Sequence, residues 1–107
     1  MQTAAISPAN HRPLQLALQY WERHWDFECP TLFGIEHEQL RDVLSSWPTV
    51  PEHLEEIAGL ALLGSLRELL YGASAVPHAN LPGLIGLSYA QADELCTQIH
   101  SIVQSTA

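Results

Sequence analysis

The chain has 107 residues, with twelve acidic side chains against four arginines and no lysine, for a formal net charge of −8 with histidines neutral. A field of that sign repels phosphate backbones and anionic lipid, which argues against nucleic-acid and membrane-surface binding and favours fast encounter with a basic protein partner. At this length one modest core is expected, burying roughly two-thirds of the unfolded chain's surface. With 47% apolar and 15% charged residues, the composition fits a globule rather than a disordered chain.

Residues 1–11 are small and polar around Pro8, without periodicity, and read as a loose arm. Leu14, Leu18, Trp21 and Trp25 then recur at helical spacing behind Pro13, predicting a helix over about 13–27 that stops before Pro30. Leu40, Val43, Leu44 and Trp47 make the apolar face of a second helix over about 36–47, ended by Pro48. Thr49 with Glu52 three residues on is a capping-box pattern, and Pro51 suits the first turn of a third helix over about 51–71. That helix carries Ile57, Leu60, Leu62, Leu63, Leu66, Leu69 and Leu70 on all faces, so it belongs at the centre of the domain. Ala58, Gly59, Ala61 and Gly64 would let neighbours approach it closely, and Gly72 offers a C-terminal cap. After the loop ASAVPHAN, Ser88 and Gln91 form another capping box. Ala92, Leu95, Cys96, Ile99 and Val103 line a fourth helix over about 88–104. No stretch alternates like a strand, and the expected fold is all-α: one compact four-helix domain over residues 1–107, made of two helical hairpins around a mostly buried third helix.

Two six-residue strings repeat with an offset of 52: PTLFGI at 30–35 and PGLIGL at 82–87. The offset matches Pro30 with Pro82, Leu32 with Leu84, Gly34 with Gly86 and Gln39 with Gln91. Each string enters the second helix of a pair. Proline would stiffen the approach and glycine would admit a positive φ, so both strings read as matched loops pinned over the core.

Catalytic and metal motifs are sparse. His37-Glu38-Gln39-Leu40-Arg41 begins like HExxH but has Arg at the second histidine position. His24, Glu28 and Cys29 could hold a borderline metal such as zinc at the end of the first helix, but a histidine there more commonly bonds the terminal carbonyls. Cys29 and Cys96 form neither a CxxC pair nor a disulfide framework, and Cys96 lies on an apolar helix face where an inert thiol is expected. No nucleophile elbow or phosphate loop is present. The reading is therefore of a non-enzyme without cofactor or metal. The N-terminus has no basic and apolar signal-peptide pattern and no window reaches the length of a membrane span, so a cytoplasmic home is expected.

The acids are unevenly spread, with nine of twelve at or before Glu56. Acids at helix N-termini offset the macrodipole, which accounts for Glu36, Glu38, Glu52 and Glu55. Glu22, Asp26 and Glu28 would stand at the wrong end of a helix over 13–27, where carboxylates cost up to about 1 kcal/mol. A binding face is the functional alternative, with Glu22, Asp26, Glu28, Glu38 and Asp42 steering a basic partner and Tyr20 and Phe27 supplying contact area.

The segments WDFECPTLFGI and LRELLYGASAVP look like pieces of bacterial toxin-immunity proteins of contact-dependent inhibition or related secretion systems. The small, acidic, helical character is similar to theirs as well. The resemblance is to a functional type and includes no diagnostic motif. It implies a tight one-to-one complex with a cognate toxin domain, commonly a basic nuclease. The other function classes considered are a helical scaffold or secretion chaperone acting as a dimer and, behind it, a small metal-dependent enzyme.

Overall fold

The computed structural model describes residues 6–105, and all regular structure among them is helical. Six α-helices run in chain order: α1 His11–Arg23, α2 Cys29–Phe33, α3 His37–Ser46, α4 Glu55–Leu70, α5 Leu81–Ile85 and α6 Tyr89–Ser105. Single 3₁₀ turns at Pro8–Asn10, Glu52–Leu54 and His78–Asn80 lead into α1, α4 and α5. The four long helices match the expected ones with shifted ends, and the two short helices stand where loops were expected.

PTLFGI and PGLIGL build these two short helices. Pro30 and Pro82 each sit in the first turn, where the missing N–H would have had no helical partner. Gly34 and Gly86 end the turns in the left-handed region, at φ 76° and 78°. Their N–H groups donate to the carbonyls of Pro30 and Pro82 at 2.9 and 3.0 Å. Immediately afterwards each half closes a capping box. Gln39 Oε1 accepts from the Glu36 N–H at 2.7 Å, and Gln91 Oε1 accepts from the Ser88 N–H at 2.9 Å. The matched glutamines are thus the reciprocal arms of two equivalent caps.

The packing is equivalent in part, since α3 also packs on α4 whereas α6 does not pack comparably on α1. The helices α1 and α3 pack together as α4 and α6 do, and each short helix docks on the long first helix of the other half: α2 on α4, α5 on α1. The first residues of α3 and α6 also correspond. His37 stacks on Trp25 at 5.1 Å between centroids, and Tyr89 stacks on His78 at 3.7 Å. Each half therefore pins the approach to its short helix against the start of its last helix with a ring pair.

At the centre, α4 buries eleven of its sixteen residues and contacts α1, α2, α3 and α6, as its all-round apolar surface requires. Its small residues permit close approach. A Cβ at Gly64 would lie 2.6 Å from the Phe33 ring, so this glycine is the seat on which α2 rests. Leu14, Leu18, Leu40, Leu62, Leu66, Leu69, Leu81 and Ile85 are among the fully buried side chains.

Several local expectations change. Residues 1–5 of the expected arm lie outside the described residues, but Ile6 is buried in the core and Pro8–Asn10 is a regular turn. The Thr49/Glu52 box does not form, because a 3₁₀ turn over Glu52–Leu54 intervenes and α4 starts at Glu55. Gly72 is not a left-handed cap. Its smallness is required because a Cβ there would lie 2.9 Å from the Glu68 backbone carbonyl oxygen. The helix α1 ends at Arg23 rather than Phe27, and imidazoles cap its last carbonyls: His24 Nδ1 donates to Tyr20 O at 2.8 Å, beside the His24 N–H, and His37 Nε2 donates to Glu22 O at 3.1 Å.

Candidate functional site

The residues that the sequence marks for partner binding lie on α1, on α3 and in the segment between them, and the structure sorts them into engaged and open groups. Asp26 is engaged: its Oδ1 accepts from the Glu28 N–H at 2.9 Å, the Cys29 N–H at 3.2 Å and the Cys29 thiol at 3.4 Å. It therefore organises the entry to α2 as a side-chain cap does. Glu22 is also engaged, 3.6 Å from Arg41 Nε and 3.8 Å from His37 Nε2, tying α1 to α3. Tyr20 is half-buried, packed against the core and stacked on His24 at 4.2 Å.

These contacts remove the anomaly read from the sequence. Asp26 and Glu28 do not end α1 but precede α2, the favourable end of a helix for a carboxylate. Glu22, one residue from the end of α1, is balanced by the guanidinium of α3. No steering role is needed to explain why Glu22 and Asp26 are carboxylates.

The open group is Phe27, Glu28, Glu38 and Asp42. Phe27 is 89% exposed, an extreme value for an aromatic ring, and Leu32 beside it on α2 is 41% exposed. Phe27, Glu28, Thr31 and Leu32 line an open groove of about 300 Å³. The Glu28 side chain makes no capping bond, so its carboxylate is available at the groove. Glu38 and Asp42 lie on the exposed face of α3, away from the buried Leu40 and Val43.

Thr31 and Leu32 escape the sequence reading because PTLFGI reads as a loop pinned inward. In the short helix, Cys29 and Phe33 point inward, leaving 31 and 32 outside. A signal was available in the repeat. At the offset of 52 the buried pairs remain apolar, Cys29 with Leu81 and Phe33 with Ile85, whereas Phe27 with Ala79, Glu28 with Asn80 and Thr31 with Gly83 diverge; Leu32 matches Leu84 and carries no such signal.

Among the described residues no group of three or more His, Cys, Asp and Glu is placed to hold a metal. The ring of His24 faces the Tyr20 carbonyl rather than Glu28 and Cys29, as the C-terminal position suggested. Burial raises the Cys29 thiol above its ordinary pKa, outweighing the Asp26 backbone N–H that favours the thiolate. Burial raises Cys96 too, against the attraction of Arg67. Both thiols are neutral near pH 7, the unreactive state.

Other grooves occur among the described residues. One is lined by Leu63, Arg67, Tyr71, Cys96, Thr97 and His100 between α4 and α6, and another by Asn10, Leu87 and the α6 residues Gln91, Glu94, Leu95 and Gln98. Arg67 is already engaged, with Nε 3.2 Å from Glu68 Oε2 and a terminal nitrogen donating to Leu32 O at 2.6 Å. No helix among the described residues is long and apolar enough to cross a membrane. Comparison with protein-family models, with curated proteins and with solved structures finds no match.

Proposed function

We propose that this chain is an acidic protein-binding module that neutralises a cognate basic toxin domain by direct binding, in the manner of a bacterial immunity protein, and that it acts in the cytoplasm without catalysis. The reading takes the domain as two helix pairs, α1 with α3 and α4 with α6, of which the first carries the binding face at its α1–α2 turn. The observation that supports it most is the exposed Phe27 ring, 89% accessible at a position where the architecturally equivalent residue is Ala79. The fold does not ask for that ring, and exposed aromatics supply much of the binding energy at protein interfaces. Glu28, Glu38 and Asp42 add unpaired negative charge, which accelerates encounter with a basic surface.

The test is co-expression with the toxin-like protein encoded beside this chain, reading cell survival and the association rate of the purified pair. The wild-type chain protects and forms a one-to-one complex. Phe27→Ala weakens the complex by about 2 kcal/mol or more. Glu38→Lys with Asp42→Lys slows association and flattens its salt dependence. Absence of protection, or a stable homodimer in light scattering that Phe27→Ala dissolves, would overturn the reading, the latter in favour of a dimeric scaffold.

A further inference from the structure

We propose that the groove of Phe27, Glu28, Thr31 and Leu32 receives an arginine side chain of the partner; this rests on the protein-binding reading and names the partner's chemistry at that face. The groove combines an exposed aromatic ring, an exposed leucine and a carboxylate held by no cap. Those are the three surfaces an arginine offers to match. Its planar guanidinium stacks on a ring, its paired N–H groups take a carboxylate, and its aliphatic stem covers apolar surface.

Charge complementarity selects a cation. The chain carries a net −8, and Phe27 is flanked by Asp26 and Glu28. The Asp26 Oδ1 atom is committed to the backbone of Glu28 and Cys29, so the Glu28 carboxylate is the one that can offer both oxygens to a guanidinium. Arg67 approaches from behind, on the Leu32 carbonyl, but its charge is matched by Glu68 at 3.2 Å. Arginine is favoured over lysine because an ammonium lacks the plane that stacks on Phe27 while bonding a carboxylate in two places.

The second short helix serves as an internal control. It has the same backbone turn and buries the same two positions, filled by Leu81 and Ile85, but Ala79, Asn80 and Gly83 replace the ring, the carboxylate and the hydroxyl. The groove chemistry is thus an addition to the turn and not a requirement of it.

The test is a nitrogen-15 NMR titration of the full chain with N-acetylarginine methylamide and, in parallel, the lysine analogue at equal ionic strength. Backbone amides at 26–32 shift with the arginine probe and less with the lysine probe, while those at 78–84 stay in place. Phe27→Ala and Glu28→Gln, both at exposed positions, each weaken the response by about threefold or more. Equal shifts around the acids at 52–56, or no effect of either variant, would show only non-specific attraction to net charge and overturn the proposal. Survival assays separate the two claims. If the wild type protects and the Phe27→Ala/Glu28→Gln double variant protects equally, the arginine groove falls and the protein-binding reading stands. If the wild type does not protect, the reading falls and takes the arginine partner with it.

Discussion

The α2 and α5 turns are built on one plan and present different surfaces. Both start with a proline in the first turn, end with a left-handed glycine, bury the residues before the proline and before the glycine, and hand over to a glutamine-closed capping box. Around α2 this frame carries Phe27, Glu28 and Thr31, and around α5 it carries Ala79, Asn80 and Gly83. What two copies share is what the turn needs to form. What only one copy has answers to something else: local fixing for Asp26 and, on the proposed function, an outside partner for Phe27.

The largest expected effect lies where the two turns meet the core. Phe33→Ala is expected to cost about 3–5 kcal/mol, because the ring sits on Gly64 and packs edge-on against Trp21 and against Trp25. Ile85→Ala, its counterpart on α5, is expected to cost about 2–4 kcal/mol. Urea unfolding of both variants measures the pair, and a larger loss at Ile85 would break the view that α2 is the more tightly seated turn.

Next come the glycines. Gly34→Ala and Gly86→Ala each force a Cβ into the left-handed region, at about 1–2 kcal/mol. Both sites have room, since a Cβ at Gly34 would have Leu60 no nearer than 4.0 Å and one at Gly86 would have nothing within 4 Å. The losses in thermal unfolding should therefore be equal within about 0.5 kcal/mol. A clear inequality would show that the two turns are not equivalent.

The smallest effect sharpens the difference. Asp26→Ala removes an acceptor shared by two backbone N–H groups and should cost about 1 kcal/mol. Asn80, at the N-cap of α5, makes no side-chain capping bond, and Asn80→Ala should change stability by less than about 0.5 kcal/mol. Comparable losses at both positions would mean that the entries to the two turns are fixed alike, against the geometry.

Legibility followed the length of the element. The long helices were visible because their apolar residues recur for several turns, as with Leu14, Leu18 and Trp21 or Ala92, Leu95 and Ile99. The helices α2 and α5 have five residues each, too few for a periodicity to declare itself, and their prolines look the same whether they end one helix or begin another. Glu22, Asp26 and Glu28 looked anomalous in the sequence for one reason. A first helix read as running through Trp25 to Phe27 placed all three at its C-terminal end, whereas Asp26 and Glu28 in fact precede α2. Glu22 could not be recognised as paired because Arg41 lies nineteen positions away, on another helix.

By itself the sequence determined the helical class, the burial of α4 and the existence of two matched glycine turns. Those depend on patterns within one element: the spacing of apolar side chains, the absence of a polar face on α4, and the backbone freedom of glycine. Only the tertiary structure decided that each short helix rests on the other half, that Glu22 and Asp26 are occupied while Glu28 is free, and that Phe27 faces outward. Those outcomes depend on which groups from distant positions arrive within about 3–4 Å of one another, the range in which a charge or an N–H is satisfied or left open.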